Sequence, residues 1–178
     1  YSGGTSFVSS GLAGYMEYAS SNAFGTGVFT VSNAAGRIDT GGNVTLANNF
    51  QINSTSLQYR TIGANTITVT GNIAGTGGVN KTGNGILLLS GTLTYTGQTI
   101  ITSGSIRASK TTGTSTATAS FVTTATLSVS FNVPPDAGTQ TFRFFQGSTS
   151  RTYTAVTLVN APGRTATYNS TTSTLTVT

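Results

Sequence analysis

Apolar residues recur in short bursts along the chain and never in long runs. Thr66-Ile67-Thr68-Val69-Thr70, Thr126-Leu127-Ser128-Val129-Ser130 and Thr174-Leu175-Thr176-Val177-Thr178 alternate an aliphatic with a hydroxyl residue, and Gly85-Ile86-Leu87-Leu88-Leu89 is a compact aliphatic burst. Period two predicts strands with one buried face, and β-branched residues suit such a pleated surface. Gly or Asn flanks the bursts, so the strands are expected to be short and joined by tight turns. No stretch sets apolar residues at i, i+3, i+4 and i+7 among good helix formers; Gly11 to Asn22 comes nearest to a helical turn. The predicted fold class is all-β.

A repeat suggests how the strands are arranged. Tyr1-Ser2-Gly3-Gly4-Thr5 through Leu12 can be laid over Tyr95-Thr96-Gly97-Gln98-Thr99 through Ile106, an offset of 94 residues. In both copies a Tyr-(Ser/Thr)-Gly opening leads through Thr to an apolar pair and a Ser/Gly turn. Such a unit cannot bury its apolar face alone, so stacking of successive coils should supply the core. The expected architecture is a β-solenoid over residues 1–109. Lys110 to Ser120 lacks long apolar residues and is expected as a linker or a weak polar strand. Residues 121–178, richer in aromatics, are expected to form a C-terminal β cap or small sandwich. Within it, Pro134-Pro135-Asp136-Ala137-Gly138 is a strong turn signal, which predicts a hairpin across residues 127–145.

One segment is recognisable as a family motif. Ile73-Ala74-Gly75-Thr76-Gly77-Gly78-Val79-Asn80-Lys81-Thr82-Gly83-Asn84-Gly85-Ile86-Leu87-Leu88-Leu89-Ser90-Gly91, followed by Leu93-Thr94-Tyr95-Thr96-Gly97-Gln98-Thr99, resembles the autotransporter-associated β-strand repeat. Tyr1 to Thr5 with Ala23 to Gly27 looks like the second half of a preceding repeat. Val156-Thr157-Leu158, Ala166 to Asn169 and Leu175 to Thr178 are similar to the segment that often follows these repeats. The resemblance implies a passenger-type β-solenoid displayed outside the cell as stalk, export aid or adhesin scaffold, with no enzymatic activity.

Composition agrees with an unusual surface. Only 6% of the residues are charged, against about 25% in ordinary soluble domains, so Ser, Thr, Asn, Gln and Gly must provide solubility. The chain has no Cys, His or Trp, which removes disulfides, most transition-metal sites and the commonest general base. The net charge of +5 is scattered; Arg107 with Lys110 and Arg143 with Arg151 are the nearest approaches to a basic patch, so no nucleic-acid partner is expected. No run of about 18 apolar residues suggests membrane insertion. Tyr1 opens the sequence without a basic-then-apolar leader, so a processed chain or a piece of a longer one is expected.

Catalytic chemistry finds little to work with. Gly75 to Thr82 superficially approaches a phosphate-binding loop, but Asn80 stands where the second glycine is needed and strand formers follow instead of a helix. A glycosidase needs two carboxylates, and the three acids, Glu17, Asp39 and Asp136, are far apart in sequence; nor does Asp39-Thr40-Gly41-Gly42 supply a calcium ligand set. No cofactor or metal is expected, and the protein is read as non-enzymatic. Tyr15, Tyr18, Tyr59, Tyr95, Tyr153 and Tyr168 could stack on sugars, although core packing suits most of them. Asn43, Asn53, Asn80 and Asn169 open Asn-x-Ser/Thr triplets, which leaves glycosylation open.

The two ends carry the sharpest expectation. Tyr1, Ser2 and Gly3 begin midway through a repeat, and Leu175, Thr176, Val177 and Thr178 stop in strand chemistry, so both are expected to present unfinished β edges. Edge pairing would join subunits end to end into an extracellular or cell-surface fibre. The alternative is an adhesin or viral tail-fibre module that binds surface glycans.

Overall fold

The computed structural model describes residues 2–8, 14–18, 20–32, 35–121 and 126–178, with the backbone alone at Phe121. Every regular element among them is a β-strand. The first coil contributes β1 (Thr5–Val8) and β2 (Gly14–Glu17). The second adds β3 (Phe29–Ser32), β4 (Gly36–Thr40) and β5 (Val44–Leu46), and the third β6 (Phe50–Ile52), β7 (Ser56–Thr61) and β8 (Thr66–Val69). The fourth holds β9 (Ile73–Gly75), β10 (Gly78–Thr82) and β11 (Ile86–Leu89), and the fifth β12 (Thr99–Ile101) and β13 (Ser105–Thr112). Each strand pairs in parallel with its counterpart one coil away, giving a first sheet β1-β3-β6-β9, a second β2-β4-β7-β10-β12, and a third that begins β5-β8-β11-β13. The protein is a three-sided β-solenoid.

Stacking follows from the alternation in the sequence. Phe29 lies over Phe50, Phe50 over Ile73 and Ile73 over Leu93, so on this side a coil takes 20 to 23 residues. Leu57 stacks on Val79 in the second sheet, and Val44, Ile67, Leu87 and Ile106 stack in the third, all buried. Tyr18, Phe24, Phe29, Phe50 and Tyr59 form a run of ring contacts, with centroids 4.9, 4.7, 5.3 and 5.9 Å apart. Each such buried large side chain contributes roughly 1.5–3 kcal/mol. Corners are closed by side chains that bond the next coil: Asn49 Oδ1 accepts from Asn72 N (2.9 Å), Asn72 Oδ1 from Thr92 N (2.9 Å), and Asn43 Oδ1 from Thr66 N (2.8 Å). Buried Asn48 donates to the carbonyls of Gly25 and Gly27.

Beyond the fifth coil the third sheet changes direction. β14 (Ser115–Phe121) and β15 (Thr126–Phe131) continue it as antiparallel strands. β16 (Gln140–Arg143) leaves it, and β17 (Ala155–Val159) returns as its outer strand, parallel to β15. β18 (Ala166–Asn169) and β19 (Thr174–Val177) join β16 in a separate antiparallel sheet of order β16-β19-β18. Phe142, Leu175 and Val177 of this sheet are buried, and Phe142 meets Phe131 of β15 edge-on with centroids 5.4 Å apart. The cap-like end is therefore a small sandwich built on an extension of the solenoid wall. It also covers β12: Thr99 N donates to Ser148 O (2.7 Å), Ser150 N to Thr99 O (2.8 Å), and Arg151 Nε to Ile101 O (2.7 Å).

Several expectations change in detail. The hairpin across residues 127–145 does not form, because β15 and β16 lie in different sheets and touch face to face. Two successive prolines supply no amide hydrogens for a ladder and fix φ, so the turn carries the chain between sheets. Residues 110–120 lie largely in β13 and β14, whose registers run Lys110↔Ala117 and Thr112↔Ser115. The 94-residue offset matches turn chemistry and not position: Thr5 belongs to the first sheet, Thr99 to the second. In the span Gly11–Asn22, residues 14–17 are strand and 21–22 are turn; 11–13 and 19 lie outside the described residues.

Candidate functional site

The expected assembly edges meet different fates. Tyr1 lies outside the described residues, while Ser2 and Gly3 precede β1 as exposed chain. Leu175, Thr176 and Val177 occupy the middle strand of their sheet: Val177 is in register with Gln140 on one side and Ala166 on the other, and Thr178 exchanges backbone hydrogen bonds with Thr165 (2.9 and 3.0 Å). The C-terminal strand is thus paired on both sides and offers no open edge: Ala166–Asn169 precedes it as a hairpin partner, and the distant Gln140–Arg143 closes its other side. Open edges lie elsewhere. Among the described residues β1, β2 and β5 each begin their sheet paired on one side only, β17 is one-sided at the far margin of the third sheet, and β16 and β18 flank the separate cap sheet. Val8 on β1 and Val159 on β17 are exposed, and neither strand carries a charge or proline of the kind that blunts a sheet edge.

The second site candidate is the outer face of the second sheet. Parallel register sets Tyr15 beside Arg37, Arg37 beside Gln58 and Gln58 beside Asn80. One step along the strands, Glu17 lies beside Asp39 and Asp39 beside Arg60. Asp39 is 2% exposed, and its carboxylate accepts from Arg37 Nη2 (2.9 Å) and Arg60 Nη1 (3.1 Å). Arg37 Nε lies 2.8 Å from the other carboxylate oxygen, too oblique for a hydrogen bond. The same guanidinium sits 4.7 Å from the centroid of the Tyr15 ring. Coiling therefore does bring two carboxylates side by side, Glu17 and Asp39. With Asp39 buried beneath two arginines, the pair cannot present a free acid and base to one substrate.

Alongside runs a shallow groove of about 160 Å³, lined by Tyr15, Arg37, Ser56, Gln58 and Asn80 among others. Tyr15 is 63% exposed. The other five tyrosines considered for sugar stacking are buried or partly buried within the core, and burial pushes the phenols of Tyr18, Tyr59, Tyr95, Tyr153 and Tyr168 upward, Tyr168 to about 12. Tyr95 also shares a 2.6 Å hydrogen bond with Thr99 Oγ1.

Lys81, at the centre of the phosphate-loop lookalike, is fully buried. It occupies the interior column between Tyr59 and Ile101, and its ammonium donates to Thr61 Oγ1 (3.1 Å) and to the carbonyls of Thr82 (2.6 Å) and Gly83 (2.8 Å). Burial lowers its pKa to about 8. No phosphate could reach it. Arg143 donates to the Phe145 and Gln146 carbonyls and Arg151 to those of Ile101 and Thr102, so that basic pair ties the cap together.

Among the described residues no group of three or more His, Cys, Asp or Glu could hold a metal, and no helix is long and apolar enough to cross a membrane. Comparison with protein-family models, curated proteins and solved structures gives no match. Sequence reasoning missed the Arg37–Asp39–Arg60 cluster, the asparagine rungs and interior Lys81. Their signal was available as recurrence near the coil length, Asp39 to Arg60 being 21 residues and Asn49 to Asn72 being 23.

Proposed function

We propose that this chain is a non-enzymatic structural module of an extracellular or cell-surface stalk or fibre, related to autotransporter-type passenger solenoids and extended by strand-edge pairing. The observation that carries this is that, among the described residues, uncharged strands pair on one side only at both margins of the stack, β1 in the first sheet and β17 in the third. β17 keeps the strand direction of β15 and β13, so a neighbour's coil added there would continue a parallel ladder. A contact between unlike ends propagates instead of closing, which is what a fibre requires.

Sedimentation velocity over a wide concentration range tests this with Val8→Lys and Val159→Lys, both at exposed positions that leave the core untouched. The unmodified chain should form concentration-dependent larger species, and either lysine should restore the monomer at unchanged thermal stability. A chain that stays monomeric at all concentrations, or assembly indifferent to both lysines, would overturn edge pairing.

A second reading, an adhesin or viral tail-fibre module that binds glycans, draws on one observation: of the six tyrosines considered for stacking, only Tyr15 stands fully on the surface, beside a groove.

A further inference from the structure

We propose that the groove on the second sheet binds a neutral, linear glycan, with Tyr15 as the stacking platform and Gln58 and Asn80 as the groups that read its hydroxyls. This rests on the second reading above and not on assembly. Sugar recognition needs an apolar ring face beside planar amides that each offer a donor and an acceptor. Tyr15 supplies the ring, held from one side by Arg37, whose guanidinium is fixed by Asp39. Among the described residues the Gln58 amide has no hydrogen-bond partner, and Asn80 uses only its oxygen, which accepts from Thr102 Oγ1 at 3.3 Å.

Geometry favours a chain over a single sugar. Tyr15, Arg37, Gln58 and Asn80 stand on four successive parallel strands, spaced about 4.8 Å apart, close to the length of one sugar ring. An extended glycan lying along the solenoid axis would meet one side chain per residue. Charge favours a neutral one: Arg37 and Arg60 are matched on this face by Asp39 and Glu17, so no surplus cation awaits a uronate or sulfate. Small residues Ala35 and Ser56 line the groove and leave room for a ring.

The test is calorimetric titration of the monomeric Val159→Lys chain with cellohexaose, chitohexaose and maltohexaose, followed by Tyr15→Ala, Gln58→Ala and Asn80→Ala. At least one hexasaccharide should bind, Tyr15→Ala should weaken it tenfold or more, and each amide variant should weaken it severalfold at unchanged melting temperature. Failure of all three sugars to bind at millimolar concentration would overturn the proposal, as would binding that survives Tyr15→Ala. A preference for a uronic-acid oligosaccharide such as hexagalacturonate over all three would overturn its neutral character. Because the titration uses a dispersed chain, its failure is separable from failure of edge pairing.

Discussion

At the residue scale, Lys81 shows how this solenoid uses a charge in its interior. Three neutral oxygens satisfy its three donors, yet burial still lowers its pKa from 10.5 to about 8. Between these values the unfolded chain holds a proton that the folded chain has released, so stability should rise as pH climbs from about 8 to 10.5. The buried tyrosines act oppositely: their folded pKa values are raised, so above about pH 10 the unfolded state ionises first and stability falls. Denaturant titrations should therefore give a maximum near pH 9–10. Lys81→Met should remove the rising limb and leave the falling one, and a flat profile from pH 7 to 10 in the unmodified protein would contradict this account.

The glycines of the solenoid are constrained unequally. Gly83 has φ +76°, and a Cβ there would stand 1.9 Å from the Thr61 carbonyl oxygen; at Gly41 a Cβ would meet nothing within 4 Å. Gly83→Ala should cost about 2 kcal/mol or more and Gly41→Ala roughly 0.5 kcal/mol or less by chemical denaturation.

At the element scale, strand chemistry was readable and strand partnership was not. Thr66 to Thr70 and Thr174 to Thr178 alternate as buried-face strands should, and both are strands. Nothing within Leu175 to Val177, however, reveals that β16 and β18 flank it, because pairing depends on where distant segments fold. Pro134-Pro135 announced a turn correctly; whether that turn reverses one sheet or crosses to another was decided by the two sheets packing together, with Phe131 and Phe142 meeting edge-on between them. The Tyr15 groove was legible only as a residue type, since its partners Arg37, Gln58 and Asn80 come from three other coils. The sandwich makes a clear prediction: Phe142→Ala should cost about 3–5 kcal/mol, because it removes a fully buried ring between two sheets. A loss under about 1 kcal/mol would mean that the cap does not pack as described.

At the scale of the whole molecule, the margins of the stack differ: the last strand of the second sheet is covered, while β17 at the far margin of the third sheet pairs on one side only. Residues 148–151 and the sandwich cover β12, whereas the first coil presents β1 and β2 with pairing on one side. Amide hydrogen exchange should follow that asymmetry, with β7, β8, β10 and β11 in the middle coils most protected and β1 and β2 least. Uniform protection from first coil to last would contradict it. The low charge of the surface suits a module that meets copies of itself, since little repulsion opposes close approach.

The central claim, that this solenoid extends by pairing its strand edges, is tested most directly by electron cryomicroscopy of the purified chain at increasing concentration. Unbranched filaments should form, with a strand repeat of about 4.8 Å along the filament axis, and should vanish in Val8→Lys. Dispersed single particles at every concentration, or filaments whose strands do not continue across the subunit junction, would contradict it.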